Sequence, residues 1–181
     1  MATELYTIGH SNHQIERFLD LLKKHEIEAL ADIRRFPTSR KFPHFNQENL
    51  SQSLKNSGIE YDWLELLGGR RPKQTSISSS VNAGLTNASF HNYADYMQTA
   101  LFQRGIRQLL DIAEKKRCSY LCSESMFWQC HRRLVSDYLT AHGYVVWHIF
   151  PSGEVRQHQL TPEARVQGDN VIYPGPRTLF E

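Results

Sequence analysis

The side chains in this sequence that are best suited to chemistry lie close together, between Cys122 and Arg132. A thiol near the start of a helix and beside a cation has a lowered pKa, because both features stabilise the thiolate. Cys122 and Cys130 are therefore candidate nucleophiles. His131 and Glu124 are candidates for moving protons, and the fork of Arg132 could hold a carboxylate or a phosphate. The segment predicts a reactive site that takes an anion.

The cysteines also have an interpretation without chemistry. Cysteine is among the most buried residue types, and a buried thiol often does no more than fill space. We interpret Cys118 as a packing residue and leave Cys122 open between packing and function. Two adjacent polar residues at the start of a helix are harder to explain by packing, so we expect functional roles for His131 and Arg132.

The order of strand, cysteine, loop, arginine and helix is similar to that of cysteine phosphatases and rhodaneses. Those enzymes need a shorter loop, whose amides cradle an oxyanion between the cysteine and the arginine. Here nine residues separate Cys122 from Arg132, and one residue separates Cys130 from Arg132. This spacing excludes that mechanism.

Metal and dinucleotide sites are the other two familiar alternatives. Zinc could be held by Cys122, Cys130, His131 and His10. The cysteine spacing is not the usual one, however, and the adjacent Cys130 and His131 would point in different directions on a helix. A metal stays an alternative, and we expect no cofactor. The turn at Gly9 lacks the glycine pattern of a dinucleotide loop.

The elements that would position these residues alternate between strands and helices. Short β-prone segments occupy residues 5–8, 29–33, 59–64, 119–122 and 144–150. Helical patterns cover residues 13–25, 46–57, 93–116 (with a break near Gly105) and 128–142. Residues 68–92 are predicted to form a long exposed loop, and residues 165–173 are predicted to form a hairpin. We predict one α/β domain over residues 1–181, with a mainly parallel sheet of about five strands flanked by helices and a small C-terminal hairpin.

Polar residues follow almost every predicted strand. Ligands of open parallel sheets bind outside the carboxyl ends of the strands, where these residues would meet. The expected catalytic residues are Asp32, Cys122, Glu124, Cys130 and His131. The expected substrate-binding residues are His10, Ser11, Asn12, Arg34, Arg70, Trp128 and Arg132.

Composition limits the partners of the chain. The 181 residues carry a formal net charge of +2 and 40% hydrophobic residues, which is too many for a disordered chain. Basic clusters interleave with aromatic residues around Arg34, Arg70 and Arg132, a mixture that suits phosphates and bases. No segment is apolar enough to cross a bilayer, and no signal peptide is evident. Three clustered cysteines favour a reducing cytoplasm.

Several motifs together resemble the DUF488 family. They are Thr7-Ile-Gly-His-Ser-Asn12, Asp32-Ile-Arg-Arg-Phe-Pro37, Pro43-His-Phe45, Leu67-Gly-Gly-Arg70, Tyr93-Ala-Asp-Tyr-Met97, Cys122-Ser-Glu124 with Cys130-His-Arg132, and Leu160-Thr-Pro-Glu-Ala-Arg165. The resemblance runs from about residue 5 to residue 173 and implies a compact α/β domain, in a family largely without assigned function. The family usually has a Trp or Pro-Trp before Cys-His-Arg, whereas this chain has Phe-Trp-Gln. The Ser-rich region after Gly69 also departs from the family, so substrate choice does not carry over.

We therefore expect an enzyme that acts on a nucleic acid, a nucleotide or another phosphorylated substrate, by hydrolase-type or repair-type chemistry. The pocket would lie at the carboxyl ends of the strands. A nucleic-acid-binding module without catalysis is the first alternative. A metal-binding or thiol redox protein is the second. No membrane partner is expected.

Overall fold

Six strands form the central sheet of the computed structural model, which describes residues 3–176. They are β1 (Glu4–Gly9), β2 (Ala29–Asp32), β3 (Glu60–Trp63), β4 (Cys118–Cys122), β5 (Val145–Ile149) and β6 (Val155–Gln157). The order across the sheet is β3-β2-β4-β1-β5-β6. The first five strands run parallel, and β6 pairs with β5 antiparallel. The predicted mainly parallel sheet is confirmed, with one further edge strand.

Helices cover both faces of this sheet. They are α1 (Ile15–Lys24), α2 (Gln47–Asn56), α3 (Ala88–Tyr96), α4 (Ala100–Ala113) and α5 (Arg132–Ala141). None of the helices within residues 3–176 is long and apolar enough to cross a membrane. The predicted C-terminal hairpin is present as β7 (Arg165–Gln167) and β8 (Asn170–Ile172).

Two apolar cores lie on opposite faces of the sheet, because neighbouring residues of a strand point to opposite sides. Tyr6 and Ile8 of β1 pack with α1 and α2 in one core. Leu5 faces the other core, which contains residues of α3, α4 and α5. Strands β2 and β4 are buried along their whole length and β1 along all but its first residue, whereas the edge strand β3 is largely exposed.

The helices before and after β4 differ from their predicted bounds. The single helix predicted for residues 93–116 is two helices, and Thr99 caps the second by accepting a hydrogen bond from the Phe102 amide at 3.3 Å. The predicted break at Gly105 is wrong. This glycine lies inside α4, where a Cβ atom would come within 2.9 Å of Leu67. The last predicted helix begins at Arg132, because residues 127–129 form a separate 3-10 turn.

The region predicted as a long loop is anchored at its centre. Turns occupy much of residues 75–84, and α3 begins at Ala88, inside the predicted loop. Asn82 is fully buried and donates to Asp95 Oδ1 at 2.7 Å. Its side-chain oxygen accepts from the Tyr173 amide at 2.9 Å, so the loop is tied to both α3 and the C-terminal segment.

Candidate functional site

A cavity of about 570 Å³ opens at the carboxyl ends of β1, β2 and β4. Its walls include His10, Arg34, Arg35, Phe36, Gly69, Arg70, Tyr93, Cys122, Glu124, Cys130 and His131. The volume lies in the range that encloses a small-molecule ligand. The sheet order explains the position: α1 leaves β1 toward one face and α5 leaves β4 toward the other. Such a divergence of connections opens a crevice in parallel sheets.

Cys122 and His131 form a pair at the floor of this cavity. The Cys122 Sγ atom lies 3.8 Å from His131 Nδ1. The other ring nitrogen, Nε2, lies 2.8 Å from the Ile33 carbonyl oxygen, which can only accept, so Nε2 carries the hydrogen. In the neutral ring Nδ1 therefore turns its lone pair to the thiol. The adjacent Cys130 thiol, followed by the nearby His131, lowers the pKa of the Cys122 thiol.

Cys130 completes a tight cluster with this pair. The Sγ atoms of Cys122 and Cys130 and a ring nitrogen of His131 all lie within 4.8 Å of one another. Burial raises the pKa of the Cys130 thiol, and the adjacent Cys122 acts in the same direction. The prediction that Cys130 and His131 point apart on a helix is wrong. Cys130 is extended, with φ −143° and ψ 176°, and α5 starts only after His131.

Glycine backbone forms part of the wall around this cluster. A Cβ atom on Gly69 would lie 2.8 Å from His131 Nδ1, and one on Gly68 would lie 2.7 Å from the Cα atom of Arg35. A Cβ atom on Gly9 would come within 1.7 Å of the Glu124 carbonyl oxygen. Close packing of three chain segments therefore depends on the absence of side chains here.

Asp32 and Arg34 form an ion pair with each other and are not directed at a ligand in the cavity. Asp32 is fully buried and forms a bidentate ion pair with Arg34, with an Nη2–Oδ2 distance of 2.6 Å. It also accepts a hydrogen bond from Tyr61 OH at 2.7 Å. Arg34 lines the cavity, but its Nη1 group donates to the Phe45 carbonyl oxygen at 2.8 Å. The placement gives Asp32 no access to a ligand and leaves Arg34 little capacity for an anion.

His10 lies beside Arg34 as a neutral side chain. Burial, followed by the charge of Arg34, lowers the pKa of His10 to about 4. Its Nδ1 atom lies 2.9 Å from the Ser11 carbonyl oxygen, and Nε2 faces Arg34 Nη1 at 3.4 Å. The ring stacks on Phe45 at 4.3 Å. Both ring nitrogens have partners within the protein, so His10 shapes the cavity wall and has little hydrogen-bonding capacity left for a ligand.

Arg132 does not reach the cavity, which contradicts its predicted role in direct substrate binding. Its side chain is 1% exposed. The guanidinium donates to the carbonyl oxygens of Glu124 and Ser125, to Thr7 Oγ1 at 3.2 Å and to Cys130 Sγ at 3.3 Å. Arg132 therefore fixes the loop after β4 and supports the Cys130 sulfur.

Two other arginines are available to a ligand. Arg70 is exposed, and its guanidinium has no hydrogen-bond or acidic partner among residues 3–176. Arg35 donates to the Arg70 carbonyl oxygen at 3.2 Å and lies 5.7 Å from the Phe36 ring centre. Sequence reasoning missed Arg35, Phe36 and Tyr93 as parts of the site. Arg35 and Phe36 closely follow β2, which indicates a place near the strand ends but does not distinguish Arg35 from the adjacent Arg34.

The remaining predicted residues lie at the margin of the cavity or away from it. Glu124 lines the main cavity and a neighbouring one of about 510 Å³, and Ser11 and Asn12 line only the second. Trp128 lines neither. It is 48% exposed and packs near Phe150, with ring centres 6.2 Å apart.

Comparison with known proteins identifies a family but no individual relative. The family described as "Domain of unknown function DUF488" matches residues 14–139, which run from the start of α1 into α5 and include the whole Cys122–His131 cluster. No curated protein and no solved structure matches the chain. The matched segment covers more than half of the sequence, and the chain belongs to the DUF488 family.

Proposed function

We propose that this chain is an enzyme that acts on a nucleotide, a nucleic acid or another phosphorylated substrate. The observation that carries the proposal is the joint access of two kinds of group to one cavity. The reactive cluster of Cys122, Cys130 and His131 forms the floor, and the cations Arg35 and Arg70 lie on the wall. Guanidinium groups bind phosphate oxygens in a fixed, two-pronged geometry.

The cavity wall also suits a base or another planar group. Phe36 is 63% exposed beside Arg35, and Phe90 also lines the cavity. A large exposed aromatic ring next to a cation is a stacking surface for bases. Glu124 lines the cavity and has no hydrogen-bond partner for its carboxylate within residues 3–176, so it is available to move a proton.

Binding of phosphorylated compounds tests the substrate class. Calorimetric titrations would use inorganic phosphate, a mononucleotide and a short single-stranded oligonucleotide. We expect Arg70→Gln to weaken binding by about ten- to a hundredfold, because a charge-assisted hydrogen bond contributes about 1.5–3 kcal/mol. Arg107→Gln removes the same charge from the exposed face of α4, outside the cavity walls, and should bind as the wild type does.

Turnover separates catalysis from binding alone. Nucleotides and phosphodiesters that bind would be incubated with wild type and with Cys122→Ala, and products measured. We expect turnover by the wild type and its loss in Cys122→Ala, with affinity changed only a few fold. Affinity with steep salt dependence and no turnover would instead favour the binding module, for which the exposed Phe36 is the supporting observation.

We further propose that the protein works in the cytoplasm. Its three cysteines are all free, and two of them form the floor of the cavity. A reducing compartment keeps such thiols available.

A further inference from the structure

We propose that Cys122, Cys130 and His131 bind one zinc-class transition-metal ion, with an open coordination position toward the cavity. This proposal rests on the proposed function, because it names the reactive agent of the same site. The sequence disfavours a metal site, because Cys130 and His131 would point in different directions on a helix. That objection disappears because Cys130 is extended and both side chains turn toward Cys122.

The spacing of the three donor atoms agrees with tetrahedral coordination. Zinc–sulfur bonds of about 2.3 Å and zinc–nitrogen bonds of about 2.0–2.1 Å place tetrahedral ligands roughly 3.5–3.8 Å apart. The Cys122 Sγ and His131 Nδ1 atoms are 3.8 Å apart, and all three donors fall within 4.8 Å of one another. Small side-chain rotations would bring the third donor into place.

The surroundings of the donors are those of a metal site. A ligating histidine usually donates its other N–H group to a carbonyl or a carboxylate, which fixes the ring. His131 Nε2 has this contact with the Ile33 carbonyl oxygen at 2.8 Å. The buried Arg132 donates from Nε to Cys130 Sγ at 3.3 Å, and its other contacts are to neutral oxygens. A bound metal would convert Cys130 to the thiolate and so give this buried cation a negative partner.

The donor set selects the class of metal. Two thiolates and an imidazole favour zinc and similar soft or borderline ions over magnesium and calcium, which prefer oxygen. Three protein ligands leave a fourth position, as in catalytic rather than structural zinc sites. All three donors line the cavity that Arg35 and Arg70 also line. A water molecule or a phosphate oxygen of the substrate could therefore occupy the fourth position.

Cobalt(II) titration of the reduced, chelator-treated full chain tests the site. We expect one cobalt ion per chain, with sulfur-to-cobalt charge-transfer absorption and the visible bands of tetrahedral cobalt, and displacement by one equivalent of zinc. Cys122→Ala and His131→Asn should weaken binding at least about 100-fold, more than the usual loss of a group that only supports a ligand. Cys118→Ala is the matched control, since Cys118 is buried outside the cavity and should leave the spectrum unchanged.

A second measurement uses the wild type alone and so does not depend on the folding of variants. Zinc should slow alkylation of Cys122 and Cys130 at least about tenfold, as read by peptide mass spectrometry, because bound thiolates are poor nucleophiles. Equal alkylation rates with and without zinc would overturn the proposal. A cobalt spectrum without sulfur charge transfer, or equal affinity in Cys122→Ala, would overturn it as well.

The two proposals fail in different ways. Metal binding is measured without any substrate, and phosphate binding depends on Arg70, which is not one of the metal ligands. A chain that binds cobalt through Cys122 but no phosphorylated compound would contradict the proposed function alone. A chain that binds and converts such compounds without any metal would contradict the metal site alone, and Cys122 would then be the nucleophile.

Discussion

Single residues around the Cys122–His131 pair have little freedom to change. The imidazole is held between the Ile33 carbonyl oxygen and the backbone of Gly69. Its orientation directs Nδ1 to the Cys122 sulfur. A substitution that displaces the imidazole ring would therefore weaken its contact with the Cys122 sulfur, even if the new side chain does not touch the cysteine.

Substitution of Gly69 by alanine tests this tight packing. The new Cβ atom would lie 2.8 Å from His131 Nδ1, so the ring or the loop must shift. We expect a loss of about 1–3 kcal/mol in the free energy of unfolding, measured by urea denaturation, as is typical of overpacking. Gly175→Ala, whose Cβ atom would meet Ala83 at an ordinary 3.4 Å, should stay within about 0.5 kcal/mol of wild type. Equal losses for both variants would disprove this account of the wall.

The types of residue in the site could be predicted from the sequence, but the role of each residue could not. Cys122, Cys130 and His131 were selected correctly as neighbours at the strand ends, and the structure brings them together. Arg34 and Arg132 could not be told from Arg35 and Arg70 by type or position. Burial decides between them, and it depends on Asp32 and Thr7, which contact these arginines in the folded chain.

Among the elements, the 3-10 turn before α5 controls the site most directly. Residues 127–129 stop the chain from entering the helix early, so Cys130 is extended and points to Cys122. The Phe127 ring anchors the turn by stacking on His148, with centres 3.6 Å apart and planes at 2°. The sequence periodicity predicts one continuous helix that includes part of this turn and α5. It cannot show the stacking contact that separates them, because that contact comes from β5, far along the chain.

Loss of this anchor should loosen the turn. We expect Phe127→Ala to lower the free energy of unfolding by about 2 kcal/mol, since the ring is partly buried and stacked. Trp128→Ala, which truncates a side chain that is 48% exposed, should cost less than about 1 kcal/mol. Denaturation curves of the two variants give the comparison, and a larger loss for Trp128→Ala would contradict the role of Phe127.

Across the whole molecule, a series of buried side chains joined by hydrogen bonds connects the site region to the C-terminal segment. His158 Nε2 lies 2.9 Å from Asp137 Oδ1, and His158 Nδ1 lies 2.9 Å from His148 Nε2. His148 Nδ1 lies 3.0 Å from Thr7 Oγ1, which also accepts from Arg132. This hydrogen-bonded series links β1, β5, α5 and the segment after β6, so the loss of one of its members affects the fold as a whole.

The hydrogen-bonded series makes the free energy of unfolding depend on pH. Burial, followed by the nearby His158 and Arg132, lowers the pKa of His148 to about 2 from 6.5. Below pH 6.5 the unfolded chain takes up a proton at His148 that the folded chain excludes, so stability falls as pH decreases. We expect a loss of about 2 kcal/mol from this group at pH 5. Urea denaturation at pH 7 and pH 5 would measure it, and His148→Gln should reduce the difference by about that amount. An unchanged difference in His148→Gln would show that other groups cause it.

The alternation of strands and helices, the parallel sheet and the hairpin were all predictable, because periodicity and turn residues specify them locally. The antiparallel edge strand β6 was not, since its three residues, Val155–Gln157, are all exposed and carry no apolar pattern. The order of the strands, which places β4 between β1 and β2, also depends on contacts between distant segments.

The central claim is that the cavity at the strand ends binds a phosphorylated ligand beside the cysteine cluster. The most direct measurement is an experimental structure of the full chain with inorganic phosphate and with a mononucleotide. We expect an anion in contact with the guanidinium groups of Arg35 and Arg70, next to Cys122. Phosphate bound only at other surfaces, or a cavity without an anion at a concentration that saturates binding in solution, would contradict it.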